Sequence, residues 1–420
     1  MLPHRSQFVW RRSWHGAPAM GGTKETPIWE PTTEAERCTA LDTIRGLALL
    51  GVLLVNLHSN FRVSLAEDLL GPPPSHRWGD RVVDRAVVVL LQFKAFALFS
   101  LLFGAGLAVF GERAAARAAG PTRFLARRLI ILLALGLVHL LLVWNGDILT
   151  LYAVCGLLML PVCRLPAAAL AAAGAAAFAL PYIVPWGIGW PTEDILRKLA
   201  GEAELVYTAG GVGNVVAFHW RETRLLILPL LVGVGPQTWG SMALGAAVWK
   251  AGVFRDPGRH RRLLWVVALA GGAVGGGATL LSAFEVPTPL PPPLLEAASS
   301  APLALAYAAG LLLALRSPAA ARLAAPFSAT GQMALTNYLA QSLVLSFLFY
   351  GYGLGLYGRL GSAAAAGVGL VIYAGQVVFS RAWLRRHRFG PVEWVWRSLT
   401  YGRGQPMRRR GCNDRCRPGP

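Results

Sequence analysis

Long apolar stretches separated by short polar segments follow one another from residue 43 to residue 384. A helix needs about 20 apolar residues to cross the hydrocarbon core of a bilayer, and many of these stretches approach that length. The pattern predicts an all-α fold, a polytopic membrane bundle of about ten transmembrane helices. The predicted spans are residues 43–61, 86–110, 129–144, 148–163, 166–188, 225–249, 263–284, 301–315, 330–353 and 363–384.

The two ends of the chain lack this apolar pattern. Residues 1–36 are polar and aromatic without periodicity, and we interpret them as a disordered cytoplasmic leader. Residues 403–420 are rich in Arg, Gly and Pro, which predicts a disordered basic tail. The region between them, residues 37–402, is predicted to form a single membrane domain.

Charge is unevenly distributed along the chain, which has 40 Lys and Arg against 21 Asp and Glu and a net charge of +19. The basic residues concentrate in the loops 113–128 and 250–262, whereas the segment 145–147 has none. Because Lys and Arg are enriched in cytoplasmic loops, this distribution predicts a multi-pass protein with both termini in the cytoplasm. It favours anionic lipid headgroups as partners on the cytoplasmic face and argues against nucleic-acid binding.

The stretch Leu129–Ala153 places polar residues in an otherwise apolar run. His139 lies about ten residues into its span, about 15 Å deep at the helical rise. Asn145-Gly146 is a turn signal, and it predicts a hairpin that returns Asp147 toward His139. An ionisable residue inside a membrane is by default a hypothesis of function, and structural pairing of the two side chains is the alternative.

Two further ionisable residues are candidates for the same chemistry. Lys94 lies about eight residues, or about 12 Å, inside the second span. It either extends its ammonium group outward to water or pairs with Asp147. His58, near the outer end of the first span, is either a hydrated boundary residue or a catalytic base.

Other polar residues are candidates for substrate binding. Asp42 and Arg45 are three positions apart at the inner end of the first span, where they can pair on one helix face. They either begin the helix or grip a phosphate, for which the arginine side chain is well suited. Asn337 and Gln341 share one face of the ninth predicted span. They either join helices by hydrogen bonds or bind the hydroxyl or amide groups of a substrate.

Familiar catalytic signatures are missing from the sequence. It contains no zinc-protease helix, phosphate-binding loop, dinucleotide fingerprint or nucleophile elbow. Two of the eight histidines fall in the predicted leader, which leaves few for a multi-histidine site. We therefore predict no metal site and no tightly bound cofactor.

Five ordered segments carry a resemblance to a known family. They are Leu41–Gly46, Leu98–Gly106, His139–Leu149, Gly331–Ser342 and Gly390–Gly402. Together they resemble the YeiB family of bacterial integral membrane proteins, which is defined by a domain of unknown function, number 418. The resemblance implies a multi-pass protein of the bacterial inner membrane, with a C-terminal motif block over residues 225–402.

The YeiB family is more remotely similar to transmembrane acyltransferases, which share the Asp-x-x-Arg-Gly opening that Asp42, Arg45 and Gly46 match. This similarity implies an O- or N-acyltransferase that takes an acyl group from cytosolic acyl-CoA and delivers it to an extracytoplasmic or lipid-linked acceptor. The catalytic histidine of those enzymes follows the first helix and corresponds by position to His58. His139 lies in this family's own motif, so both histidines are candidates for the general base.

The remaining roles follow from this hypothesis. Asp147 would orient the imidazole or balance Lys94, and Lys94 would stabilise the developing oxyanion. Asp42 and Arg45 would hold the phosphates of the donor. Two alternatives use the same residues: a small-metabolite transporter or exporter that employs the charges as a relay, and a non-catalytic membrane protein in which every pair is structural.

Overall fold

The computed structural model describes residues 38–71, 77–116, 120–183, 191–284, 286–289 and 292–409. These residues form helices joined by short turns, and an isolated β-bridge between His387 and Arg408 is the one extended pairing among them. The prediction of an all-α fold is confirmed. The predicted leader, residues 1–36, lies outside the described residues, as do residues 410–420 of the predicted tail.

The helices of the described region are numbered in chain order. They are α1 (Thr39–Asn56), α2 (Leu65–Leu70), α3 (Trp78–Leu90), α4 (Lys94–Ala116), α5 (Pro121–Leu142), α6 (Leu149–Met159), α7 (Ala167–Ile183), α8 (Glu193–Ala209), α9 (Val212–Lys250), α10 (Arg261–Ala283), α11 (Pro292–Ala314), α12 (Pro318–Gln332), α13 (Ala334–Phe349), α14 (Ser362–Arg386) and α15 (Pro391–Tyr401). A π-helical turn, Leu57–Phe61, extends α1.

Six helical segments of the described chain are long and apolar enough to cross a membrane, and a seventh is obtained if the bent pair α11 and α12 is taken as one span. The six are Thr39–Phe61, Trp78–Ala115, Thr122–Leu142, Val212–Lys250, Arg261–Ala283 and Ser362–Arg386. Three shorter apolar helices, Leu149–Met159, Ala167–Phe178 and Ala334–Phe349, fall within other predicted spans. The molecule is a polytopic helical bundle.

Helix α9 differs most from the prediction. It is 39 residues long and begins at Val212, whereas the apolar pattern placed the start of a span at residue 225. Arg221, Glu222 and Arg224 lower the hydropathy of the first turns, so the sequence pattern marked residues 191–224 as a loop. The helix continues through these residues because its backbone hydrogen bonds do not depend on side-chain polarity. Its first turns therefore join the bundle.

Residues 318–329 were also predicted to be outside the spans, and the structure makes them part of helix α12. The axis of α12 turns by 119° from that of the preceding helix. Helix α12 then packs closely along α1, where a Cβ atom on Gly331 would lie 1.8 Å from the carbonyl oxygen of Asp42. Its alanines favour a helix, but Arg322 and the prolines Pro318 and Pro326 interrupt the apolar run that would have marked a span.

Helices α4 and α9 cross with their backbones in contact. A Cβ atom on Gly104 would lie 1.9 Å from the carbonyl oxygen of Met242, and one on Gly245 would lie 1.8 Å from that of Leu101. These two glycines allow the backbones to approach closely. Gly106 does not take part in this contact, because a Cβ atom there would meet no atom within 4 Å, and it lines a cavity instead.

The C-terminal segment folds back on the end of α14. Arg388 N–H donates to the carbonyl oxygen of Met407 at 2.9 Å, and Arg409 N–H donates to that of Arg386 at 3.1 Å. Residues 403–409, which the sequence assigned to the disordered tail, are therefore paired with the chain around residue 387. This pairing holds the short helix α15 against the bundle beside α5 and α13.

Candidate functional site

A hairpin between α5 and α6 brings His139 and Asp147 together. The Nδ1 atom of His139 lies 2.8 Å from Oδ1 of Asp147, and the two side chains are 2% and 0% exposed. The Asp147 carboxylate also accepts hydrogen bonds from the backbone N–H groups of Leu149 (3.1 Å) and Thr150 (2.7 Å) at the start of α6. The predicted hairpin contact is confirmed, and Asp147 both caps α6 and orients the imidazole.

The turn itself depends on Gly146. The ring of Trp144 lies over it, and a Cβ atom on Gly146 would approach that ring to 2.2 Å. Because Asp147 fixes Nδ1 as the donor nitrogen, Nε2 is the basic nitrogen of a neutral imidazole. Nε2 is buried and has no hydrogen-bond partner in the protein. The geometry leaves His139 able to accept a proton at one defined atom.

A cavity of about 180 Å³ extends from α15 to this hairpin. Its apolar walls come from α4, α5, α6 and α13, and Ile148, Leu149, Tyr152 and Tyr338 line the end nearest the hairpin. The Tyr338 ring centroid lies 5.3 Å from that of His139, and its hydroxyl oxygen accepts from Ile148 N–H at 3.3 Å. The volume is below the range of about 300–1,000 Å³ typical of drug-sized ligands, so it suits a narrow chain.

Three arginines line the opposite part of the cavity: Arg45, Arg128 and Arg397. Arg128 is 7% exposed, and its guanidinium lies over two rings, 3.5 Å from the centroid of Trp396 and 4.3 Å from that of Phe110. Its Nη1 atom is buried without a hydrogen-bond partner in the protein. A buried cation of this kind is costly unless it meets an anion, and the sequence had explained Arg128 only as loop charge.

Asp42 and Arg45 form the predicted pair, with Oδ1 and Nη1 2.8 Å apart. Both are partly exposed, and both line a second cavity of about 140 Å³ that also contains Arg113 and Arg397. The two cavities share Arg45 and Arg397. The Asp-x-x-Arg-Gly segment therefore lies where the arginine-lined end of the cavity approaches the surface.

Glu393 of α15 holds the start of α13 in place, between the arginine-lined part of the cavity and its apolar end. Its carboxylate accepts from the backbone N–H groups of Leu335 (2.7 Å) and Thr336 (3.0 Å), and also from the Thr336 hydroxyl. These are the first N–H groups of α13, which otherwise have no partner within the helix. Burial raises the pKa of Glu393, and the bonds from Thr336 act in the opposite direction.

Lys94 does not join the His139 site. It is 3% exposed, and its Nζ atom donates to the carbonyl oxygen of Val88 at 3.0 Å across the break between α3 and α4. The predicted pairing with Asp147 is not formed, because the Asp147 bonds come from His139, Leu149 and Thr150. The break, at which Phe93 has φ of 60°, gives the lysine a nearer acceptor.

His58 lies in the π-helical turn after α1, and its Nδ1 atom is 3.2 Å from Oδ1 of Asp84. The structure thus contains a second histidine–aspartate pair that the sequence did not indicate. His58 does not line the arginine-bearing cavity. His139 is not among the lining residues either, but Tyr338, which lines the cavity, lies 5.3 Å from it between ring centroids. A catalytic role for His58 stays a prediction.

Asn337 and Gln341 lie between helices. Asn337 donates to Ser380 Oγ (3.0 Å) and to the Thr330 carbonyl (3.2 Å), and Gln341 donates to Gln376 Oε1 (2.8 Å). Neither lines the cavity beside His139. These bonds match the interhelical interpretation, and substrate binding by the two residues stays a prediction.

The structure also contains a polar group that the sequence analysis missed. His219 and Glu222, one turn apart on α9, are both 0% exposed. Glu222 accepts a hydrogen bond from the Asn145 side chain of the hairpin. The unpredicted first turns of α9 position both residues, so only a pattern that recognised those turns as helix could have found them. Among the described residues, no group of three or more His, Cys, Asp or Glu side chains could hold a metal ion.

Comparison with known proteins gives consistent matches over most of the chain. A family profile described as a protein of unknown function (DUF418) matches residues 248–403. The chain is 32% identical to the uncharacterized protein YxaH of Bacillus subtilis (strain 168), with 90% of this chain and 98% of that protein aligned.

Two further relatives are similar over nearly the same extent. An uncharacterized 39.9 kDa protein in the amylase 3′ region of Bacillus acidopullulyticus is 30% identical over 90% of this chain and 98% of its own length. The uncharacterized protein YeiB of Escherichia coli (strain K12) is 30% identical over 87% of this chain and 96% of its own length. The chain belongs to the DUF418 family of YeiB-like membrane proteins.

Proposed function

We propose that the protein transfers an acyl group from a coenzyme A thioester in the cytoplasm to a hydroxyl or amino group of an acceptor on the other side of the membrane. The observation that carries the proposal is the cavity that joins three arginines to the wall beside His139 and Asp147. A donor of this class has a phosphorylated head and a long narrow arm. The cavity offers cations at one end and apolar walls along the rest.

The dimensions along α5 support this arrangement. His139 follows Arg128 by eleven positions, which corresponds to about 16 Å along the helix axis. A phosphate at Arg128 and Arg45 would thus leave room for an extended arm that reaches Tyr338. Arginine is the residue most suited to bidentate contacts with phosphate oxygens. Partners for the Nη1 atom of Arg128 would come from the donor.

The proposed reaction uses the side chains of His139, Asp147 and Tyr338. His139 Nε2 accepts the proton of the acceptor hydroxyl, and the hydroxyl oxygen attacks the thioester carbonyl. The carbon–sulfur bond then breaks, and the imidazolium returns the proton to the leaving thiolate. Asp147 holds the imidazole and stabilises its charged form. Tyr338 O–H, in the role that we predicted for Lys94, donates a hydrogen bond to the developing oxyanion.

The distribution of basic residues supports a cytoplasmic position for the arginine-lined end. The loops around Arg113 and Arg259 lie at the same end of the bundle as Arg45, and the hairpin at Asn145 lies at the other end. The positive-inside rule then orients the molecule. We propose a bacterial inner-membrane location with both termini in the cytoplasm, and anionic headgroups as lipid partners.

The test is donor binding and acyl transfer by the purified protein in lipid nanodiscs. We expect labelled acetyl-CoA to bind the wild type, and Arg45→Ala to raise the Kd by at least about tenfold, the loss of one charge-assisted contact. The conversion of thioester to ester or free acetate should be abolished in His139→Ala while donor binding is retained. If the wild type neither binds nor consumes the thioester, the proposal is wrong and a transport assay becomes the next experiment.

A further inference from the structure

The second polar group lies on the other side of the His139 hairpin from the arginine-lined cavity. His219 and Glu222 come from α9, and Asn145 comes from the hairpin. The ring centroid of His219 lies 5.9 Å from that of Tyr207, at the end of α8, and 5.9 Å from that of Tyr350, just after α13. Four separate elements therefore converge on one buried polar cluster at the hairpin end of the bundle.

Several polar atoms in this volume have no hydrogen-bond partner in the protein. Both ring nitrogens of His219 are buried and unpaired, and so is Oε1 of Glu222, whose carboxylate otherwise interacts with the Asn145 side chain and the Ala66 backbone. A buried polar atom without a partner costs about 1–3 kcal/mol, and native proteins leave few such atoms. Three of them on adjacent turns of one helix point to a bound group that supplies the missing partners.

Packed aromatic rings connect His219 and Glu222 with the proposed catalytic histidine. Tyr350 lies 6.1 Å from Phe61, Phe61 stacks on Trp144 at 4.7 Å, and Trp144 meets His139 edge-on at 6.3 Å, all between ring centroids. The Nε1 atom of Trp144 and the Nε2 atom of His139 are also buried and unpaired. An aromatic wall thus connects His219 with the basic nitrogen of His139.

The kinds of unpaired atom identify the ligand chemistry. Glu222 Oε1 and His139 Nε2 accept hydrogen bonds, Trp144 Nε1 donates one, and His219 does both through its two nitrogens. An ammonium group only donates, so it would leave the indole N–H and one imidazole N–H unpaired. Hydroxyl groups both donate and accept, and sugars add apolar faces that pack on aromatic rings.

We infer that His219 and Glu222 form the acceptor subsite, which binds a polyhydroxylated acceptor such as a sugar and presents one hydroxyl to His139. The inference rests on the proposed function for the identity of the bound group as an acceptor. Glu222 accepts from one hydroxyl, His219 donates to a second and accepts from a third, and Asn145 holds the Glu222 carboxylate in place. Both residues bind the substrate without taking part in proton transfer.

The experiment measures ligand binding in nanodiscs free of sugar detergents. Methyl glucoside, glycerol and ethanolamine serve as hydroxyl and amine probes, and thermal shift and isothermal titration report binding without any acyl donor. We expect methyl glucoside to bind the wild type and the surface control Glu204→Gln equally. Glu222→Gln and His219→Phe should each raise the Kd at least about tenfold, which corresponds to about 1.4 kcal/mol.

A parallel titration with acetyl-CoA separates this inference from the proposed function. Retention of acetyl-CoA binding within about twofold in Glu222→Gln and His219→Phe would show that both variants are folded and that the two sites are independent. Sugar binding without acetyl-CoA binding in the wild type would support the subsite and refute the acyl donor. The inference is overturned if methyl glucoside does not bind the wild type, if ethanolamine alone binds, or if the sugar binds Glu222→Gln as well as the wild type.

Discussion

The guanidinium carbon of Arg128 lies 3.5 Å from the ring centroid of Trp396. This contact joins α5 to α15 and holds a buried cation at the cavity. Cation–π contacts contribute about 2 kcal/mol when desolvated, so Trp396 keeps Arg128 in place without neutralising it. The charge remains available to an anion, which is the property that a donor-phosphate site requires.

Arg128→Gln should weaken acetyl-CoA binding by at least about tenfold, because one buried charge-assisted contact is lost. Arg127→Gln is the matched control, since Arg127 is the adjacent residue of α5 but is exposed. Isothermal titration in nanodiscs measures both. Equal Kd values for the two variants would contradict a phosphate role for Arg128.

Asp147→Asn should reduce acyl transfer by about 100-fold or more, the usual contribution of a positioned general base. The substitution lets the His139 imidazole adopt the other tautomer, while the donor cavity is unchanged. The steady-state transfer rate of Asp147→Asn should therefore be lower than that of the wild type, whereas its Kd for acetyl-CoA should be the same. The exposed Asp194→Asn variant of α8 provides the control, and an Asp147→Asn enzyme with wild-type rates would remove this pair from the mechanism.

Glu393→Gln should lower the thermal stability of the protein. The substitution replaces a charged acceptor of three hydrogen bonds at the start of α13, and loss of such a cap costs about 1–2 kcal/mol. Differential scanning fluorimetry should show a Tm several degrees below that of the wild type, with Glu204→Gln unchanged. An unaltered Tm would mean that α13 does not depend on α15.

The stability contributed by Asp68 should depend on pH. Burial raises the pKa of Asp68 to about 7, against the opposing effects of Ser59 and Arg62. The folded state therefore binds the proton more tightly than the unfolded state, so this stabilisation is complete below about pH 4 and is lost as the pH rises to about 7.

Asp68→Asn mimics the protonated side chain. We expect its Tm to match that of the wild type at pH 5 and to exceed it by a few degrees at pH 8, as measured by scanning fluorimetry across that range. Asp194→Asn should show a constant difference from the wild type. Parallel curves for Asp68→Asn and the wild type would contradict the raised pKa.

The proposed orientation predicts the labelling of single cysteines. In a background with the five native cysteines replaced by serine, Glu204→Cys on α8 should react with an impermeant maleimide in intact cells. Arg259→Cys, in the basic loop before α10, should react only after the membrane is permeabilised. The reverse pattern would invert the topology and with it the direction of the proposed transfer.

The sequence predicted the parts of the site that depend on local spacing. His139 and Asp147 are eight positions apart with an Asn-Gly turn between them, and Asp42 and Arg45 are three apart on one helix. Contacts of this kind follow from helix and turn geometry alone. The long apolar runs likewise predicted the helical bundle, because burial in lipid needs a continuous apolar surface.

The parts that the sequence missed depend on tertiary packing. Charged residues in the first turns of α9 concealed the helix that brings in His219 and Glu222. In the sequence, Arg128 resembles the other loop arginines. Only the structure shows that Trp396 of α15 covers it. Neither alternative for Lys94 included the Val88 carbonyl of α3, because the break at residues 91–93, which brings the two together, has no proline or glycine to mark it.

The crossing of α4 and α9 limits how the bundle can move. Gly104 and Gly245 bring each backbone against the other, and any side chain at either position would overlap a carbonyl group. Two helices locked in this way cannot slide or roll independently, so they act as the stationary frame of the molecule. The entry routes of the proposed donor and acceptor therefore lie in the elements around that frame: α15 at the arginine-lined end, and α8 at the end that holds His219.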